Sequence, residues 1–188
     1  AKRFAADVGA HSLQPSGESN GAHCFDECFS DPWLALHKEF GNRVPLACSA
    51  FTFEMGGVLD VDPRQAQRYA QGFFRYLKRI GCIAGAAPKH RANGLNEFRA
   101  FEMLDSPAGG LLLYRQQLGD WVSPGEVLAE IVDPTAPDLD SEPTFIKASM
   151  KGCVVSRRLS RQVAFGDFVV MLAGHERPAS GKSKSLMD

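Results

Sequence analysis

The stretch PLACSAFTFEMGG, residues 45–57, decides how the first half of the chain is read. From Val44 to Met55 the residues are mostly small, apolar or aromatic, the composition of a covered β-strand. One carboxylate, Glu54, stands near its end, just before Gly56 and Gly57. Burying an unpaired carboxylate is costly, and such a group tends to take up a proton instead. An acid at the tip of a core strand therefore asks for a reason. Sheets covered by helices place ligands outside the carboxyl ends of their strands. A carboxylate at that point, followed by glycines that let backbone or substrate approach, is well placed as a general base. The competing reading is a sheet-edge acid that is solvated or paired with an arginine.

Working outward, SDPWLALHKEFG (30–41) carries a helix start, with Ser30 or Asp31 as cap and Pro32 in the first turn. Trp33, Leu36 and Phe40 fall on one face, and Gly41 stops the helix. DVDPRQAQRYAQGFFRYLKRIG (60–81) is the clearest helix. Asp62 caps it, Pro63 opens it, and Ala66, Tyr69, Ala70, Phe73, Phe74, Leu77 and Ile80 make an apolar stripe. Lys78 and Arg79 suit the negative end of its dipole, and Gly81 ends it. Phe4–Val8 reads as the end of a further helix and Ala10–Leu13 as a short strand. Alternating strands and helices over residues 1–88 give an α/β layer, with few elements for a whole domain.

Around APKHRANG (87–94) the pattern changes, and residues 89–178 read as a separate small all-β domain, followed by a polar tail over 179–188. SPAGGLLLYRQQLGDWVSPGEVLAEI (106–131) is echoed by ASMKGCVVSRRLSRQVAFGDFVVML (148–172). Gly110 matches Gly152, and after one deletion Val122, Gly125, Glu126 and Ile131 match Val163, Gly166, Asp167 and Leu172. Two facing copies are expected to close a flattened barrel that neither stabilises alone. Gly119, Asp120, Val122, Gly125 and Leu128 resemble the G-D-x-V-x-x-G-x-x-L of biotinyl/lipoyl half-barrels. The tip between the copies, 132–144, holds no lysine, and Lys147 and Lys151 lie along the second copy, so a covalently loaded carrier is not the reading.

Composition is that of an ordinary globular protein, 44 % apolar and 23 % charged over 188 residues. A net charge of −1 gives no electrostatic case for nucleic acid or an anionic membrane. No apolar run approaches a membrane span. Five irregularly spaced cysteines fit a reducing, cytoplasmic setting. The histidines, His11, His23, His37, His90 and His175, open no H-x-x-E spacing. GAHCFDEC gathers His23, Cys24, Asp26, Glu27 and Cys28, but its spacing fits no common zinc pattern.

The runs FDECFSDPW, ACSAFTFEMGG, YLKRIGCIAG, SPAGGLLLY and LGDWVSPGEVLAEIVDP, between about Gly21 and Ala173, resemble the C-terminal part of the succinylglutamate desuccinylase/aspartoacylase family. Thr52, Glu54 and Gly56 form its most specific short motif, T-x-E-x-G. The resemblance implies a zinc carboxypeptidase-like α/β/α catalytic domain, present here in part, followed by a β-domain. It also implies hydrolysis of the amide joining an acyl group, succinyl or acetyl in type, to an amino acid or related amine. Zinc in that family is held by an H-x-x-E element and a later histidine, all preceding the T-x-E motif. Glu54 corresponds to the proton-transferring glutamate. No H-x-x-E is present, so the metal ligands are expected upstream of Ala1 and none within this chain. Arg43 is the local candidate for gripping substrate. The 188 residues are therefore expected to be part of a longer enzyme, made by design or by proteolysis, and inactive alone. A small N-acyl amino acid is the expected partner, and oligomeric state is left open. The alternatives are a peptide-cleaving zinc carboxypeptidase and a non-catalytic binding or assembly module.

Overall fold

The computed structural model describes residues 2–13, 25–88, 97–137 and 141–176. They form α1 (Lys2–Val8), β1 (Ser12–Leu13), α2 (Phe25–Phe40), α3 (Pro63–Arg79), β2 (Glu97–Phe98) and β3 (Ala100–Asp105). Then follow β4 (Gly110–Tyr114), β5 (Trp121–Val122), β6 (Val127–Val132), β7 (Thr144–Lys147), β8 (Gly152–Arg157), β9 (Gln162–Val163) and β10 (Phe168–Gly174). β1 pairs with β2. Two compact units result: of the described residues the first takes 2–12 and 25–97, and the second takes Leu13 and 98–176.

In the first unit α3 starts as its sequence dictates: Asp62 accepts a hydrogen bond from the Arg64 amide at 2.9 Å, and Pro63 occupies the first turn. The face it packs matches the expected stripe in part: Phe73 meets Phe4 and Tyr69 meets Phe53. Gly72 is buried against α1, while Phe74 stays 62 % exposed. The reason is polar as much as apolar. Arg79 grips the buried Asp7 carboxylate with two hydrogen bonds, 2.8 Å from Nε and 2.7 Å from Nη2, and Arg75 donates to the Asp7 carbonyl. With these bonds in place, Gly72 meets α1. A Cβ there would lie 2.6 Å from the Val8 Cα, a backbone atom that cannot yield cheaply. Gly72→Ala is thus expected to destabilise this unit by about 1–3 kcal/mol, although alanine is the better helix former. Urea unfolding followed by helical circular dichroism measures the loss.

α2 departs from expectation at its start. It begins at Phe25 and carries Pro32 inside rather than in its first turn, giving up one backbone hydrogen bond there. Of the face proposed for it, Leu36 and Phe40 remain exposed. The run 44–55 is not a strand: it forms no ladder with any described residue.

The second unit corrects the expectation of a closed, half-barrel-type domain. It has two separate four-stranded antiparallel sheets, ordered β3-β10-β8-β5 and β7-β6-β4-β9. The repeat explains the arrangement. Each copy gives its short middle strand to the other copy's sheet: Val122 of β5 pairs with Gly152, and Val163 of β9 pairs with Gly110, its repeat equivalent. The turns match in the same way. Glu126 accepts from the Ser123 amide at 3.0 Å, and Asp167 accepts from the Ala164 amide at 2.9 Å. The Gly125 amide donates to the Ala148 carbonyl, and the Gly166 amide to that of Ser106, both at 2.8 Å. Leu112, Leu128, Ile131, Val154, Val169 and Leu172 fill the core between these strands.

Tyr114 closes one end of this core. Its hydroxyl donates to the Val169 carbonyl at 2.7 Å. Burial pushes the phenol above its ordinary pKa, against a hydrogen bond at Arg158 and the charges of Arg161, Arg157 and Arg158, which pull it down. A raised folded-state pKa makes the neutral phenol's contribution complete below the unfolded value of about 10 and lost as pH climbs through the folded value. Tyr114→Phe is expected to be less stable by about 1 kcal/mol near neutrality, where the Val169 carbonyl keeps the Arg158 amide at 2.8 Å but loses the phenol's hydrogen bond. The gap should narrow as pH rises past about 10, as read from urea midpoints of both proteins at successive pH values.

Candidate functional site

The candidate site lies on the run from Val44 to Asp60. His37 of α2 donates from Nδ1 to the Val44 carbonyl at 2.9 Å, and the Ala50 amide donates to the Ser30 hydroxyl at 3.3 Å. Two side chains of α2 therefore tether the run along its length. Phe51 and Phe53 tether its far end. Phe4 of α1 sits with its ring centroid 4.6 Å from that of Phe51 and 5.2 Å from that of Phe53. Phe53 meets Tyr69 of α3 edge-on at 5.0 Å. Such tilted and edge-on contacts add to the area they bury.

This anchoring sets the direction of the neighbours. Phe51 and Phe53 are half-buried, while Thr52 and Glu54 are exposed. Alternation of this kind is the period of a β-strand, in which successive side chains leave opposite faces. The aromatic face is turned to α1 and α3, so the Glu54 side belongs to the surface. Beyond it the chain turns. The Asp60 carboxylate accepts from the Gly57 amide at 2.7 Å, and the Asp60 amide donates to the Gly57 carbonyl at 3.0 Å. Asp60 thus holds the loop that follows Glu54. An acid three residues after Gly57 is the spacing of a side-chain-closed turn.

Arg43 is placed differently. Its guanidinium lies 5.7 Å from the Phe40 ring centroid, and its Nε donates to the Phe40 carbonyl at 3.4 Å. Among the described residues no ion pair joins it to Glu54. These contacts hold Arg43 at the end of α2.

No set of three or more His, Cys, Asp or Glu side chains converges as a metal-holding group among the described residues. The described residues therefore supply no zinc site by themselves. Of the GAHCFDEC cluster, His23 and Cys24 and the side chains of Asp26 and Glu27 lie outside the described residues, and Cys28 is an exposed thiol. His90 also lies outside them. Cys28, Cys48, Cys82 and Cys153 are all free thiols. No described helix is long and apolar enough to cross a membrane.

No protein-family model matches the sequence, and no curated protein does. Solved structures do match. A protein described as a succinylglutamate desuccinylase/aspartoacylase from Shewanella frigidimarina superposes over 91 % of this chain and 48 % of its own, at 19 % identity and a TM-score of 0.73. A protein of the same description from Shewanella amazonensis gives 90 %, 47 %, 20 % and 0.74 in the same order. The ectoine utilization protein EutE (DoeB) from Ruegeria pomeroyi, in its apo form, gives 92 %, 50 %, 20 % and 0.60. The chain spans about half the length of each of these proteins. With nine-tenths of its residues superposing on them, this chain has the fold of the succinylglutamate desuccinylase/aspartoacylase proteins over about half their length.

Proposed function

We propose that the chain is part of a hydrolase that cleaves the amide bond between an acyl group of succinyl or acetyl type and an amino acid or related amine. Glu54 carries the proton in this reading, taking it from the attacking water and passing it to the leaving amine. The observation that carries the proposal is the seating of Glu54. It leaves the exposed side of a run whose other side is anchored by Phe51 and Phe53, in a chain that shares the desuccinylase/aspartoacylase fold. A zinc ion belongs to the proposal, with ligands from outside the described residues. It would supply an electrophile for the carbonyl and lower the pKa of water.

The surface of the first unit supports the reading that it is one part of a larger layer. Its buried apolar side chains among the described residues are Phe4, Ala5 and Val8. Val58, Leu59 and Val61 are 84 %, 73 % and 90 % exposed, next to the candidate site. Apolar groups gathered this way on a surface mark a face made to be covered. The free thiols suit a reducing compartment such as the cytoplasm. The test is hydrolysis of N-succinyl and N-acetyl amino acids by the product of the whole reading frame encoding this chain, supplied with zinc. Turnover there, and none by the 188 residues alone, is the expected result. Inactivity of the whole product on every such amide would overturn the proposal.

A further inference from the structure

The second unit holds a group of arginines that the Glu54 reading does not use. Arg157 ends β8, Arg158 follows it, and Arg161 precedes β9, so one tight connection carries three guanidinium groups. Arg157 and Arg161 face the ring of Tyr114, and Arg158 meets its hydroxyl through the backbone carbonyl while its own guanidinium turns to Asp167. The Cζ of Arg157 lies 4.9 Å, and that of Arg161 4.7 Å, from the centroid of its ring. The Tyr114 hydroxyl lies 3.2 Å from the Arg158 carbonyl.

Their hydrogen bonding is incomplete. Arg158 Nη2 pairs with the Asp167 carboxylate at 3.1 Å, but its Nε is shut off from solvent and has no partner among the described residues. Arg157 uses Nη1 on the Gln116 carbonyl at 2.8 Å and the Gln117 side-chain oxygen at 3.3 Å. Among the described residues neither Arg157 nor Arg161 has a carboxylate in ion-pair range, so Asp167 offsets one positive charge of three. Native proteins seldom leave a buried donor unmade, and an orphan of this kind usually marks a water or ion. A water admitted by a small shift of the Arg158 side chain would satisfy Nε but leave the charge. A carboxylate needs one guanidinium fork, and Asp167 already fills that part. Two uncompensated charges, several forks and an aromatic wall suit a doubly charged oxyanion with three acceptor oxygens.

We infer that Arg157, Arg158 and Arg161, arranged about Tyr114, form a binding site for a phosphate group. The group is either free phosphate or the phosphate of an ester, and the chemistry of recognition is the same for both. The site lies wholly within the second unit and does not depend on the hydrolase proposal.

The experiment follows the arginine Nε–H resonances of the 188-residue chain by nitrogen-edited NMR while inorganic phosphate is added, with sodium chloride holding ionic strength constant. The Arg158 Nε–H signal is expected to shift and saturate. Arg161→Gln, at an exposed position where folding should survive, is expected to weaken the midpoint about tenfold, and Arg161→Lys less, since it keeps charge and loses the fork. Arg99→Gln, an exposed arginine elsewhere, should leave the midpoint unchanged. Phenyl phosphate binding more tightly than phosphate would assign the site to an ester-borne group, and equal binding would assign it to the free ion. A shift that grows without saturating and is matched by chloride overturns the inference. So does saturation untouched by Arg161→Gln, or tighter binding of succinate than of phosphate.

Discussion

Glu54→Gln, made in the product of the whole reading frame, is expected to lower kcat on N-acyl amino acids by about 10²–10⁴-fold, the usual worth of a positioned proton carrier. The amide keeps the size and polarity of the carboxylate and cannot take the proton. KM should change little, because the group acts on the proton in flight more than on the bound substrate. Stability should also hold. Glu54 is exposed, and the seating of its strand-like run comes from Phe51, Phe53, His37 and Ser30. A surface exchange of this kind shifts unfolding by no more than about 0.5 kcal/mol. Lost turnover with an unmoved unfolding midpoint and unchanged metal content would therefore report chemistry. Turnover retained at the level of the parent would remove Glu54 from the proton's path.

The second large effect is expected in the β-unit. Gly110 has φ +154°, a conformation that side chains rarely adopt, and a Cβ there would sit 2.5 Å from the Val132 carbonyl oxygen on the paired strand. Backbone strain of this kind costs about 1–3 kcal/mol, and forcing an atom into packed backbone about 1–3 kcal/mol more. Gly110→Ala should lose on the order of 2–5 kcal/mol, a large share of a small domain's ~5–15 kcal/mol. Its repeat equivalent provides an internal comparison. At Gly152 the nearest atom to a Cβ is the Ala173 carbonyl oxygen, at 3.1 Å. Gly152→Ala should be destabilised by less. Urea unfolding monitored by Trp121 fluorescence ranks the two, and equal losses would show that close approach is not what these glycines provide.

The sequence made α3 legible because its start is written in two adjacent residues, Asp62 and Pro63, each with one dominant structural use. It gave the packed face only in part, through Tyr69 and Phe73. Hydropathy favours Phe74 and Ile80, whereas the contact with α1 is set by Gly72 and by the bonds of Arg75 and Arg79 to Asp7, pairs too far apart in the chain for any periodicity to reveal. The first turn is the position that costs Pro32 least, and the structure carries it inside α2. The β-half was legible as two copies, since glycines and acids recur in register. The exchange of middle strands was not, because each middle strand is only two residues long and carries no pairing code. At the site, the alternation Phe51, Thr52, Phe53, Glu54 was readable by eye. Asp60 and the arginines about Tyr114 were not, as they act through a turn closure and through a ring some forty residues away.

The traded middle strands also govern how the β-unit must assemble. Neither sheet can be completed from one contiguous segment: β9 waits for β4, β5 waits for β8, and β3 joins β10 only after the whole second copy intervenes. Loop closure must be met before any of these pairings gives a return, which slows folding. A single backbone cut between the copies, within 133–143, should leave two pieces that are unfolded apart and regain structure only on mixing, at a rate that rises with their concentration.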